Sequence, residues 1–103
     1  MWPVIQERFA EDDFRELLLF LADRDIVVAN RFIESTELAF QQLSENPETG
    51  WLWGLESQKL RDVRTLPIPG FPNHLIFFRK AIDHVRVLRI LHASRDIIRE
   101  MGN

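Results

Sequence analysis

Leu75-Ile76-Phe77-Phe78-Arg79 followed by Val85-Arg86-Val87-Leu88-Arg89-Ile90-Leu91-His92 is the stretch on which the reading of this chain turns. Both runs are rich in β-branched and aromatic residues, and a tight link over Ala81 to His84 joins them. Such runs favour strands, and consecutive strands with a short link pair antiparallel. Alternation puts Arg86, Leu88, Ile90 and His92 on one face of the last strand and Val85, Val87, Arg89 and Leu91 on the other, so Arg86 and Arg89 part company if the strand is regular. One of the two must then approach the layer that covers the sheet, where a helix acid would pair with it.

Working back from there, Pro67, Pro69, Gly70, Pro72 and Asn73 read as a connection, and Leu60 to Pro67 as a further strand before it. Asn46-Pro47 with Gly50 marks a turn, because the residue before a proline is pushed out of the helical region. Upstream of that turn the period changes to three and four. Ala29, Phe32, Ile33, Thr36, Phe40 and Leu43 define the apolar stripe of a helix over 26–45, with Asn30, Glu34, Glu37 and Gln41 opposite. Phe14, Leu17, Leu18 and Leu21 define an earlier helix over 11–23, with Asp12 and Asp13 in its first turn, where carboxylates complement exposed N–H groups. Only Arg24-Asp25 separates the two helices, which predicts an antiparallel hairpin.

Pro3 to Gln6 reads as an edge strand, and Ser94 as the N-cap of a last helix ending near Met101, with Ile97, Ile98 and Met101 on one side. The expected architecture is a two-layer α+β domain spanning 1–103. It comprises an N-terminal strand, a helix hairpin, a three-stranded antiparallel meander and a short C-terminal helix, with the helices on one sheet face. Basic residues can collect on the other.

The chain has 103 residues, 46% of them hydrophobic, with eight Phe and three Trp, enough for one small core without metal or disulfide staples. It has no Cys, which removes thiolate metal sites and a Cys nucleophile. No apolar run is long enough to span a bilayer and the start lacks a secretory pattern, so a cytoplasmic protein without membrane contact is expected. The net charge of -3 conceals a division: residues 1–50 carry four arginines against eleven acids, a net of -7, whereas residues 51–103 carry nine bases against five acids, a net of +4. Complementary surfaces for protein partners follow more readily from that polarity than a nucleic-acid binder, whose usual footprint is strongly basic.

The run from Leu75 to Arg79 and that from Val85 through His92-Ala93-Ser94-Arg95-Asp96-Ile97 resemble the closing signature of ParE-type toxins of the RelE/ParE superfamily. Asp13-Phe14, the set Ala29, Phe32 and Ile33, the Asn46-Pro47-Glu48-Thr49-Gly50 turn and Leu60-Arg61 fall in the family's order, so the likeness covers essentially the whole chain. The resemblance implies a type II toxin made with a cognate antitoxin, a small protein whose disordered C-terminal segment folds along the toxin and neutralises it. ParE-type toxins poison DNA gyrase, whereas RelE-type relatives cut messenger RNA in the ribosome. The first implies no nucleic-acid substrate and no cofactor. A third possibility is a superfamily member that has lost toxicity and persists as an interaction module.

Metal-free RNA cleavage needs an acid, a base and cations for the phosphate. Arg61 and Arg79 with His92 are the candidates, but the chain contains no Tyr, and Phe78 stands where the family usually has one. A structural His92, bonded to nearby backbone or to Asp96, outweighs a catalytic one. His74 and His84 fall in turn-like positions that suit solvated rings rather than metal ligands, and no metal site is expected. Arg61, Arg64 and Arg79 could form a cationic patch for an acidic antitoxin segment or for the target. Arg89 and Arg95 join them as binding candidates, although Arg95 beside Asp96 also suits fixing the chain end. Trp51 and Trp53 either close the core beneath a loop or stand exposed as anchors for a partner. Any apolar surface left on the hairpin suits an antitoxin helix laid in a groove.

Overall fold

The computed structural model describes residues 1–102. Along the chain run β1 (Val4–Gln6), α1 (Arg8–Arg24), α2 (Ile26–Glu45), β2 (Trp51–Leu52), β3 (Arg64–Ile68), β4 (Phe71–Lys80), β5 (Val85–His92) and α3 (Ile97–Gly102). The expected meander is present as β3, β4 and β5, and it is widened to five strands in the order β1-β5-β4-β3-β2. β1 joins β5 in parallel, Val4 opposite Val85 and Gln6 opposite Val87. Trp51 and Leu52, expected in a loop, pair with Thr65 and Arg64 and close the opposite edge.

α1 and α2 form the predicted hairpin with a single residue between them. Asp25 ends α1 with its N–H on the Leu21 carbonyl and caps α2 by accepting from Val27 N at 2.9 Å. The capping oxygen satisfies one of the donors that a helix start leaves open. The stripes read from the sequence do face the sheet. Phe32, Ala39 and Leu43 from α2 and Ala10 from α1 are buried with Ile68, Ile76, Phe78, Val85, Val87 and Ile90, and Phe14, Leu17, Leu18 and Leu21 pack against them. Buried Thr36 is satisfied, its hydroxyl donating to the Phe32 carbonyl at 2.7 Å.

Several boundaries differ from expectation for identifiable reasons. α1 begins at Arg8 rather than Glu11, so Asp12 and Asp13 lie beyond its first turn; Glu7 occupies the N-cap, and its carboxylate goes to Arg86 instead of the helix start. β3 starts at Arg64 rather than Leu60, because Leu60 to Asp62 form turns in which Leu60 N donates to Ser57 O and Val63 N to Leu60 O. The β3–β4 connection contracts to Pro69-Gly70, with Gly70 at φ 80, a left-handed value that suits glycine. Pro72 and Asn73 therefore belong to β4, at a register shift between Pro67 and Ile68 that leaves them unpaired with β3. α3 begins at Ile97, and Asp96 rather than Ser94 caps it, its carboxylate accepting from Arg99 N at 3.3 Å.

The sheet face away from the hairpin carries a smaller core of Val63, Phe77 and Leu91. Trp53, Leu60, Leu75, Leu88, Ile97 and Met101 cover it. The segment between β2 and β3 folds over this face, and Gly54 is what permits it: a Cβ there would collide with the Leu60 carbonyl and side chain. The expected basic face is thus an apolar patch under a lid of loop and helix, with arginines along one flank.

Candidate functional site

Register decides where the arginines go. Phe77 pairs with Arg89 but Phe78 pairs with Val87, so Leu88 is an extra residue in β5, a bulge. A bulge shifts the alternation by one position. Before it Val85 and Val87 face the helices; after it Ile90 does. Leu88 and Leu91 belong to the opposite core. Arg86 and Arg89, separated by the regular-strand reading, consequently line one cleft on the open face, together with Arg79, the cross-strand partner of Arg86.

That cleft has a volume of about 440 Å³ and is bordered also by Arg99, Glu7 and Glu100, with Leu60, Leu88 and Met101 as apolar lining and Phe9 at its rim. Its cations differ in how they are held. Arg89 is gripped by both oxygens of Asp13, Nε at 2.7 Å and Nη2 at 2.9 Å, and donates to the Glu100 carbonyl and carboxylate at 3.1 and 2.8 Å. These bonds to Asp13 hold the guanidinium above its ordinary range despite partial burial, and the same arginine holds the Glu100 carboxyl below its own. Arg86 pairs with Glu7 through Nε and Nη2. Arg79 donates to the Lys59 carbonyl at 2.6 Å and meets Asp62 at 2.9 Å. An arginine paired to a helix acid was expected of one of the two in β5: Arg89 is so paired with Asp13 of α1, and Arg86 takes Glu7 at the N-cap of that helix.

The other predicted residues scatter. Arg64 lies on the helix side of β3, its Nη1 on the Glu48 carbonyl at 2.9 Å, in a separate cleft with Leu52, Asp62 and Lys80. Arg61 is exposed and makes no ion pair with a described residue. Arg95 reaches Glu100 at 3.5 Å and Glu16 at 3.8 Å, tying α3 to α1 rather than bonding Asp96. Trp53 packs edge-on to Phe77 with ring centroids 5.3 Å apart, whereas Trp51 is 63% exposed, so one tryptophan closes the small core and the other stands free.

His92 accepts from the Ser94 N–H at 3.0 Å and lies 2.7 Å from the Ser94 hydroxyl, both at Nδ1. This is the structural role expected, with Ser94 in place of Asp96. His74 is not in a turn. It lies in β4 opposite His92, wedged against Phe32, Phe71 and His92 with centroids 5.3, 5.8 and 5.0 Å away. Burial, then the charge of His92, pushes its pKa down. His84 keeps its turn, 2.8 Å from the Asp83 carboxylate. Among the described residues no three His, Asp or Glu gather into a metal-binding group. No helix of the described residues is long and apolar enough to cross a membrane.

Residues 4–97 match the family described as the ParE toxin of type II toxin-antitoxin systems, parDE. The chain belongs to the ParE toxin family. A solved structure described as the chromosomal ParDE toxin-antitoxin system from P. aeruginosa has the same fold. It aligns at a TM-score of 0.73 and 18% identity over 91% of this chain and 98% of that one. No curated protein sequence matches significantly. The family match ends at the first residue of α3, so this ParE-family chain completes its arginine cleft with Arg99, Glu100 and Met101 from outside the matched stretch. Arg86, Arg99, Glu7 and Glu100 were not singled out as binding residues from sequence. Val87 and Ile90 share the helix-side core although they are three residues apart, and that odd interval between apolar residues is the signal that could have exposed the bulge and so have joined Arg86 to Arg89.

Proposed function

We propose that this ParE-type toxin acts in the cytoplasm by binding DNA gyrase and blocking it, and that a cognate antitoxin silences it by folding along its surface. The observation that most supports binding over RNA cleavage is the dispersal of the groups a metal-free nuclease would use. Arg79 lies beside Arg86, and His92 is six positions further along β5, about 20 Å away at the rise of a strand. Acid and base must come within about 3 Å of the protons they move. His92 also lines a different and much smaller cleft, with Asp13, Glu16 and Arg95, and its Nδ1 is occupied by Ser94. Arg61 lines neither.

What the surface does offer is suited to protein recognition. An arginine cleft with apolar lining lies on the open face, exposed Trp51 on the β2 edge, and Leu19, Phe20, Ile26 and Val27 stand out near the hairpin tip. Aromatic and arginine side chains are the types that dominate binding energies between proteins. The deciding experiment adds purified toxin to a gyrase supercoiling assay and, in parallel, to a translating extract in which messenger RNA integrity is followed, each with and without the antitoxin encoded beside it. Blocked supercoiling with intact message, relieved by the antitoxin, is the expected result. Cleaved message with normal supercoiling overturns the proposal in favour of a ribosome-dependent endoribonuclease, and no effect on either assay or on growth in favour of a non-toxic interaction module.

A further inference from the structure

Arg79 and Arg86 are direct cross-strand partners on the open face. Like charges set opposite one another in a sheet repel. Each has an acid beside it, but neither uses all of its donors. Arg79 uses Nη2 for Lys59 and Asp62, and Arg86 uses Nε and Nη2 for Glu7. One Nη on each arginine, and the buried Nε of Arg79, has no partner among the described residues. A guanidinium offers five donors in a planar fork, so each arginine of this cross-strand pair keeps an Nη whose N–H groups are unused. Arg89, three residues along and on the same cleft, has every nitrogen of its own engaged by Asp13 and Glu100.

The geometry points to a clasp at Arg79 and Arg86 for a single carboxylate carried by an apolar stretch of a partner polypeptide. A carboxylate has two oxygens to share between two forks, and charge-assisted bonds of this kind are the strong ones. Leu60, Leu88 and Met101 line the surrounding cleft and Phe9, 68% exposed, borders it, so residues flanking the carboxylate would meet apolar side chains. Glu7 and Glu100 border the same cleft, and the whole chain carries -3. Both features disfavour a string of phosphates while leaving room for one acid. The clasp rests on the reading of the toxin as a protein binder and deepens it.

The test needs neither of those proteins. Arginine Nε–H signals of the ¹⁵N-labelled chain are followed by NMR during titration with acetyl-Leu-Glu-Leu-amide, with its Gln counterpart, and with a thymidine dinucleotide bearing a 5′-phosphate. The expected result is that the Arg79 and Arg86 signals move together with the Glu peptide, and that the Gln peptide binds roughly tenfold more weakly or worse. Arg86→Lys, which keeps the charge and loses the fork, should weaken the Glu peptide by about tenfold. Should that variant not fold, Arg79→Lys makes the same comparison, and the titrations of the unaltered chain stand by themselves. Signals unmoved by the Glu peptide, or moved equally by the Gln peptide, overturn the clasp. Tighter binding of the dinucleotide than of the Glu peptide overturns its assignment to a polypeptide. Because gyrase and antitoxin are absent, failure here is distinct from failure of the gyrase assay.

Discussion

Asp13 holds Arg89 through both carboxylate oxygens, at 2.7 and 2.9 Å, and one of those oxygens also accepts the Ile90 N–H at 3.0 Å. β1 runs out at Gln6, opposite Val87, so the edge of β5 beyond that point has no strand beside it. A helix side chain takes the place of the missing strand. The pair is only 11% and 17% exposed, which makes each partner dependent on the other.

Asp13→Ala should therefore cost more than a surface ion pair. It leaves the Arg89 Nε–H and the Ile90 N–H without their acceptor while Glu100 keeps the other two nitrogens of Arg89, and two buried donors stranded in this way together cost about 3 kcal/mol. In a chain of this size that lowers the melting temperature by roughly 10–20 °C. Arg15→Ala, which removes an exposed pair with Asp12, should change it by no more than about 1 kcal/mol. Thermal denaturation of the two variants side by side checks the contrast; equal melting temperatures would contradict it.

Acid should loosen the contact between β4 and β5 at the histidines. The folded state holds His74 below its ordinary 6.5 through burial and the neighbouring His92. The unfolded chain then takes up the proton first as pH falls. Stability from this group is complete above 6.5 and declines as pH drops through that value towards the lowered one. His74→Phe, which keeps an aromatic ring against Phe32 and Phe71, should flatten the dependence between pH 7.5 and 5.5. A variant whose denaturant midpoint falls as steeply as that of the unaltered chain would assign the pH effect elsewhere.

Gly54→Ala should release the segment over the small core. A methyl group at 54 meets the Leu60 carbonyl and side chain, so the turns from 54 to 63 must open and Trp53 must leave Phe77. Amide exchange should accelerate at Ser57, Leu60 and Val63, whose N–H groups close those turns, while the α1 and α2 amides keep their protection. Uniform acceleration across the chain would mean that the segment is part of the main cooperative unit.

His92→Ala should leave the proposed inhibition of gyrase in place. Among the described residues the His92 ring hydrogen-bonds to Ser94 and meets the His74 ring, and it lines a cleft apart from Arg79, Arg86 and Arg89. Growth arrest on induced expression should persist within about twofold, after the melting temperature has been used to exclude unfolding. Its abolition in a folded variant would restore the catalytic reading of this residue.

The helix hairpin was legible because its stripes obey one period over thirty residues and Asp25 punctuates them. β4 and β5 were legible because few breakers interrupt them. β2 was not, since two residues are too short to show any period, and its pairing depends on Thr65 and Arg64, a turn and a loop away. Pro72 disguised the start of β4, because what makes room for a proline here is the slip in register with β3, a property of the pair and not of the segment. The cleft escaped for the same reason. Arg61, Arg64 and Arg79 are alike in composition, and only the pairing of β4 with β5 and the fold of the loop after Trp53 decide that Arg79 joins Arg86 and Arg89 while the others do not.

The extra residue at Leu88 gives β5 two halves of opposite parity. Substituting a residue in either half changes one side chain. Removing Leu88 would set Val87 and Arg89 side by side opposite Phe78 and Phe77, so the strand would become regular with Val85, Val87 and Ile90 still on the helix side and Arg86, Arg89 and Leu91 still on the other. The bulge is thus a place where this strand can lose a residue without re-aiming the rest, whereas a residue added away from it would turn part of the strand over and present different side chains to both the helices and the outside.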